Sequence, residues 1–204
     1  FLLGAPRIHL DGQPVEMDTR KALALLAYLA VTGRPTTRDA VATLLYPNSD
    51  QTHARGALRR TISSLKTAIG ERLDANRESI HLALGPDDYF DVVAFRQALA
   101  DCRTHNHAPT DGCPRCLDPL TSAVELCQDT FMSGFSLRDS AAFDEWQFFE
   151  SERLRREQAG ALERLVPLLT VEGRLEAASE EARRLLALDP LHEPAHRVMM
   201  LLYA

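Results

Sequence analysis

The sequence lacks both a long apolar run and an apolar leader. Its longest apolar run, residues 22–31, has ten residues, whereas a helix that spans a bilayer needs about 20. No basic segment followed by an apolar one opens the chain, as a secretory signal peptide would. We therefore predict no membrane partner and a cytoplasmic location.

The sequence also lacks the motifs of common enzymes. It contains no Gly-rich phosphate loop and no Ser/His/Asp order typical of hydrolases. Apolar residues make up 45% and charged residues 25% of the 204 residues, which is the composition of a folded chain rather than a disordered one. The length allows two modest domains, and the missing motifs favour a protein that is not an enzyme.

The two ends of the sequence lack the features of a complete chain. There is no initiator Met, since residues 1–4 resemble a strand entered part-way along. Residues 199–204 stop inside an apolar helical pattern. We therefore expect the sequence to be part of a longer protein.

Positive charge is in deficit overall, but not in every segment. The formal net charge is −6. Residues 1–90 carry eleven Lys or Arg against ten Asp or Glu, whereas residues 91–204 carry twelve against nineteen. Residues 51–70 hold four basic residues and no acidic one. The acidic total disfavours a nucleic-acid partner, whereas this acid-free segment indicates one.

Residues 1–90 show the order of elements that is typical of a winged helix. Asp11-Gly12 is a hairpin turn signal, Thr19 is a candidate helix N-cap, and Gly70 follows an apolar helical period. The predicted elements are a hairpin over residues 1–17, helices over 22–31, 38–45 and 52–69, and a second hairpin over 72–84. In this fold the third helix enters the major groove and the second hairpin contacts the backbone beside it.

Residues 91–204 are predicted to be all helical. Amphipathic patterns run over residues 92–101, 117–128, 140–170 and 193–203. Gly173, Ala178 and Pro190 have the spacing of the inner part of a tetratricopeptide repeat, in which Gly forms a tight turn and Ala lies where two helices meet. The predicted fold class is an α+β N-terminal winged helix, residues 1–90, followed by an all-α tetratricopeptide-like helical domain, residues 91–204.

Five stretches resemble one family of bacterial activators. They are residues 19–30 (TRKALALLAYLA), 54–60 (ARGALRR), 131–135 (FMSGF), 143–146 (FDEW) and 188–191 (LDPL). Together they are similar to the Streptomyces antibiotic regulatory protein family. The resemblance implies an OmpR-like winged helix joined to a bacterial transcriptional activator domain, DNA-binding activation of transcription and, as in the larger members, further domains downstream.

Ten side chains are predicted to contact DNA. Lys and Arg neutralise phosphates and release counterions, and Arg reads guanine through two hydrogen bonds. Base contacts also fall at the start of the third helix in helix-turn-helix proteins. The predicted set is Arg20, Lys21, Thr52, His53, Arg55, Arg59, Arg60, Ser63, Lys66 and Arg77. Charge alone does not distinguish this hypothesis from a solvated basic face without a ligand.

Cys and His residues are concentrated between residues 102 and 116. Their spacing supplies five candidates for the four positions of a tetrahedral Zn²⁺. We predict a structural Zn²⁺ held by His105, His107, Cys113 and Cys116, with Cys102 in reserve. The alternatives are a disulfide, which a cytosolic location disfavours, and free thiols beside surface histidines.

Three classes of function compete for this sequence. The first is a sequence-specific, DNA-binding transcriptional activator whose helical domain contacts RNA polymerase, a second copy of the chain or a downstream domain. The second is a protein–protein interaction scaffold whose winged helix no longer binds DNA. The third is a zinc hydrolase, which is disfavoured because four Cys or His ligands leave no open metal position.

Overall fold

The computed structural model describes residues 1–105 and 113–202. The chain forms two compact units. The first comprises residues 1–92 and 131–150, and the second comprises residues 93–130 and 151–204. Each unit groups residues that are in contact in space and consists of two separate segments of the chain. The predicted domain boundary after residue 90 therefore stays a prediction.

The first unit has the element order of a winged helix. It contains β1 (His9–Leu10), β2 (Gln13–Pro14), α1 (Arg20–Thr32), β3 (Thr36–Thr37), α2 (Arg38–Leu45), α3 (Gln51–Ile69), β4 (Leu73–Ala75) and β5 (Ser79–Leu82). Strands β1 and β2 form an antiparallel hairpin around the predicted Asp11-Gly12 turn. Strands β3, β5 and β4 form a second antiparallel sheet in that order. The two-residue strand β3 was not predicted.

Local sequence signals set the ends of the three helices. The side chains of Thr19, Thr37 and Asp50 accept hydrogen bonds from backbone amides in the first turns of α1, α2 and α3. Each of them satisfies a donor that has no partner within the helix. Gly33, with a φ of 63°, ends α1 in the left-handed conformation that Gly adopts at little cost.

The core of the first unit includes side chains from residues 131–150. The rings of Tyr28 and Phe143 each have centroids 5.1 Å from the ring of Trp146. Ser140, which is fully buried, donates its hydroxyl hydrogen bond to the carbonyl of Leu44 at the end of α2. This segment therefore packs against α1 and α2 as part of one hydrophobic core.

Asp91 ties the first residues of the chain into this unit. It is the first residue of the helix that begins there. One carboxylate oxygen of Asp91 accepts hydrogen bonds from the backbone amides of Leu2 at 2.6 Å and Leu3 at 2.7 Å. The other oxygen accepts from the amide of Val92. Since Asp91 is 2% exposed, these bonds satisfy a charge that burial would otherwise make costly.

The second unit is helical. Its helices are α4 (Asp91–Arg103), α5 (Leu117–Leu126), α6 (Ala141–Val171), α7 (Leu175–Leu188) and α8 (Glu193–Leu202), although the first residues of α4 and α6 belong to the first unit. The three residues of the predicted repeat motif lie within α7 or beside its ends. Gly173 has a φ of 74° between α6 and α7, Ala178 is fully buried, and Pro190 follows α7.

One buried cluster holds the second unit together. It combines apolar side chains of α5, α6, α7 and α8 with Cys102 near the end of α4 and Cys116 just before α5. Pro167 is exposed on α6. In the described ranges, 1–105 and 113–202, no helix has both the length and the apolar character that a membrane span needs.

Candidate functional site

Three of the residues predicted to contact DNA line one cleft of about 800 Å³ in the first unit. They are Arg55 and Arg59 on α3 and Arg77 in the turn between β4 and β5, which is the wing of the fold. Arg38 at the start of α2 also lines this cleft and was not predicted. The cleft therefore carries four guanidinium groups from three elements, and we call it the α3–wing cleft.

Arg55 is held in place on the edge of this cleft. Its Nε and Nη2 atoms donate to the two carboxylate oxygens of Asp39, each at 2.9 Å. The hydrogen bonds from Arg55 lower the pKa of the Asp39 carboxyl, and Asp39 in turn raises the pKa of Arg55. Both side chains are more than half exposed, so this pair orients the guanidinium in a position that solvent can reach.

The wing is fastened to α2. The side-chain oxygen of Asn76 accepts from the amides of Glu78 and Ser79, each at 2.8 Å, which closes the turn. Arg38 donates from Nε to the backbone carbonyl of Asn76 at 2.6 Å. Together with the pairing of β3 and β5, these bonds fix the turn that carries the exposed Arg77 relative to α2.

Thr52 and His53 lie at the exposed start of α3, as predicted. The Asp50 carboxylate accepts from the backbone amides of Thr52 at 3.0 Å and His53 at 3.1 Å, and it also contacts Nδ1 of the His53 ring. The hydrogen bonds from His53, the backbone one first, lower the pKa of Asp50. An ionised carboxylate therefore sits beside the residues predicted to approach the bases.

Arg20, Lys21 and Arg60 lie elsewhere, along a second cleft of about 900 Å³. Arg20 donates to the carbonyl of Ser136 through Nε at 3.1 Å and Nη2 at 2.9 Å. Lys21 forms an ion pair with Asp139 at 2.7 Å, and its Nζ lies 3.9 Å from the centroid of the Tyr46 ring. These three predicted DNA contacts thus lie apart from the α3–wing cleft. Two of them, Arg20 and Lys21, bind other residues of the same unit.

The remaining predicted residues of α3, Ser63 and Lys66, are exposed. Among the residues that the structure describes, Arg59, Lys66 and Arg77 make no ion pair or side-chain hydrogen bond. The buried face of α3 is formed by Ala54, Leu58, Thr61, Ile62, Leu65 and Ile69. Helical periodicity therefore separates an apolar face from a basic one, as the sequence predicted.

In the second unit, three of the predicted metal ligands come together. One donor atom each from His105, Cys113 and Cys116 lie within 4.8 Å of one another. Nδ1 of His105 is 3.2 Å from Sγ of Cys116 and 3.7 Å from Sγ of Cys113. Cys113 and Cys116 are the ends of a short 3-10 turn that leads into α5.

The surroundings of this Cys/His cluster include one more thiol and one cation. Cys102 and Cys116 approach each other's backbone, with each Sγ about 4 Å from the other's carbonyl oxygen, at 4.0 Å and 3.9 Å. Nη2 of Arg164 on α6 is 3.6 Å from Sγ of Cys116. Burial, followed by the contact with Cys102, raises the pKa of the Cys116 thiol to about 12. His107, the remaining predicted ligand, lies outside the described residues.

The winged helix and the helical repeat together define the class of this protein. It is a regulator similar to the Streptomyces antibiotic regulatory proteins, as the sequence resemblance implied. The chain belongs to the bacterial transcriptional activator domain family, whose model matches residues 90–204. This family consists of transcription regulators and is not a class of enzymes. No curated protein sequence matches the chain.

A solved structure of Mycobacterium tuberculosis EmbR in complex with a low affinity phosphopeptide has the same fold. It superposes with a TM-score of 0.72 at 22% sequence identity, over 99% of this chain and 53% of EmbR. The chain therefore spans about half the length of that protein. This likeness confirms the predicted fold class, a winged helix followed by a helical domain.

Proposed function

We propose that the protein is a transcriptional activator that binds double-stranded promoter DNA through the α3–wing cleft. The observation that carries this proposal is the convergence of Arg38, Arg55, Arg59 and Arg77 on one cleft. Helix α3 enters the major groove, and the wing contacts the adjacent backbone. Thr52 and His53 lie at the end of α3 that approaches the base edges.

The charges within the cleft support separate roles for its arginines. Arg55 is oriented by Asp39 at 2.9 Å, which suits a guanidinium that must meet a base edge in a fixed geometry. Arg59 and Arg77 are exposed, and both suit contacts with phosphates. Arg20 and Lys21 are left out of the proposed interface because they line the other cleft, where Ser136 and Asp139 bind their charged groups.

The test measures binding of the whole chain to a random-sequence duplex by fluorescence anisotropy at several salt concentrations. Each phosphate contact contributes about 1 to the slope of log K against log salt concentration. Replacing both Arg59 and Arg77 with Ala should weaken binding at every salt concentration and reduce this slope by about 2.

Arg156→Ala/Arg174→Ala is the matched control, because it removes two exposed guanidinium groups from the second unit. It should leave both the affinity and the slope unchanged. If Arg59→Ala/Arg77→Ala binds the duplex as the unmodified chain does, the proposal is wrong and the scaffold hypothesis replaces it. A footprint on the DNA upstream of the gene for this protein then tests sequence specificity.

For the second unit we propose RNA polymerase as the partner, because an activator must act on the polymerase and helical repeats present extended surfaces for protein contacts. A second copy of the chain and a downstream domain are the alternative partners. Cross-linking of the DNA-bound chain with polymerase present tests this assignment. Cross-links from residues 151–202 to a polymerase subunit support it, and cross-links only between copies of the chain contradict it.

A further inference from the structure

We propose that Cys102, His105, Cys113 and Cys116 bind one structural Zn²⁺ in the second unit. Three of these residues already hold their donor atoms within 4.8 Å of one another. Two thiol sulfurs facing one imidazole nitrogen are the donors that a tetrahedral Zn²⁺ prefers. This site is independent of DNA binding, since every residue in it belongs to the second unit.

The fourth ligand is Cys102 rather than His107. Cys102 lies in the last turn of α4, and His105 follows it by three residues in the turn just after the helix, so the two residues are close along the chain. Its Sγ is 4.0 Å from the carbonyl oxygen of Cys116. The resulting pattern, Cys-x2-His followed by Cys-x2-Cys, is composed of two close pairs and gives the Cys₃His ligand set of structural zinc sites.

The charge balance of the site also favours a metal. Three thiolates and one Zn²⁺ leave a net charge of −1, and Arg164 places its Nη2 atom 3.6 Å from Sγ of Cys116. A donor of this kind stabilises ligand charge outside the metal's own coordination sphere. A neutral thiol sulfur is only a weak acceptor, so a guanidinium at this distance stabilises a thiolate ligand more than it stabilises a free thiol.

The alternative is that Cys102 and Cys116 merely fill the core, where both are almost fully buried. Free Cys often has that role. It does not account for His105 and Cys113, which are only partly buried and nevertheless direct Nδ1 and Sγ toward the same point. A Zn²⁺ at that point joins the end of α4 to the start of α5 and so adds a cross-link to the core.

The first experiment is elemental analysis of the whole chain, purified without added metal. We expect about one Zn²⁺ per chain and, after exchange for Co²⁺, the absorption bands of a tetrahedral thiolate complex. Cys113→Ser removes the most accessible thiol and should lower zinc affinity at least tenfold. Cys127→Ser is the matched control, because Cys127 is a buried Cys outside the cluster, and it should keep full occupancy.

Two further variants identify the fourth ligand. Cys102→Ser should lose zinc and His107→Ala should retain it, and the reverse pattern overturns the assignment of Cys102. Far-UV circular dichroism checks that each variant is folded. If the buried variants do not fold, chelation of the unmodified chain provides the test: its thermal midpoint should fall and should recover with Zn²⁺ but not with Mg²⁺. Absence of zinc from the purified chain, or an unchanged midpoint on chelation, overturns the proposal.

Discussion

Replacing Asp91 with Ala should strongly destabilise the first unit. The Asp91 carboxylate accepts from the backbone amides of Leu2 and Leu3 at 2.6 and 2.7 Å in a site that is 2% exposed. Each buried amide that loses its acceptor costs about 1–3 kcal/mol. The expected loss in the free energy of unfolding is therefore about 2–6 kcal/mol, which is large for one substitution.

The single Trp of the chain makes this prediction measurable. Trp146 lies in the core of the first unit, so its fluorescence during urea titration follows the unit that contains Asp91. For a slope of about 2 kcal/mol per molar urea, the midpoint should fall by about 1–3 M. Asp87→Ala is the control, because Asp87 is an exposed acid close by in the sequence, and it should move the midpoint little. A loss under about 1 kcal/mol for Asp91→Ala, or one equal to the control, would refute the reasoning.

Two further predictions concern hydrogen bonds that arginine side chains donate, one to a carboxylate and one to backbone carbonyls. Arg72 donates from Nε to Asp88 at 2.6 Å and lowers the pKa of that carboxyl. Asp88→Asn should therefore destabilise the chain at neutral pH but not at acidic pH, since the stabilisation from a lowered pKa is lost as pH falls below about 4. Arg184 donates from Nη2 to the carbonyls of Val124 at 2.7 Å and Cys127 at 3.0 Å. Arg184→Lys should lower the free energy of unfolding of the second unit by about 1–3 kcal/mol, because one ammonium group cannot replace both Nη2, which donates to these carbonyls, and Nη1, which donates to Glu181.

Circular dichroism during urea titration measures both changes. Asp87→Asn and Arg174→Lys are the matched controls, because each makes the same chemical change at an exposed residue. A difference between Asp88→Asn and the unmodified chain that stays constant from pH 7 to pH 3 contradicts the first prediction. An Arg184→Lys variant as stable as Arg174→Lys contradicts the second.

The elements of the fold that sequence predicted are those set by local chemistry. Thr19, Thr37 and Asp50 cap their helices because their side chains reach amides two or three residues away. Strand β3 was missed because two residues carry no periodicity, and it exists only through its pairing with β5. The bonds from Asp91 to Leu3 and Leu2 could not be predicted, because nothing in its neighbourhood points to amides 88 and 89 residues away.

The same distinction applies to the candidate sites. The basic face of α3 follows from a period of 3.6 residues, and the cluster of Cys113 and Cys116 follows from their spacing. The partners of Arg20 and Arg164 could not be predicted. Ser136 is 116 residues from Arg20, and Cys116 is 48 residues from Arg164, so tertiary packing alone brings each pair together.

Residues 131–150 lie within the stretch that matches the activator family, yet they complete the core of the winged-helix unit. The ring of Trp146 contacts the ring of Tyr28, and the Ser140 hydroxyl donates a hydrogen bond to the carbonyl of Leu44 near the end of α2. A fragment that stops at residue 90 would therefore lack part of its own hydrophobic core and should aggregate. A recombination event that exchanges the first 90 residues between two such regulators would likewise have to preserve a matching segment 40 residues further on. A change at Tyr28 would then call for a compensating change at Trp146, on the other side of that exchange point.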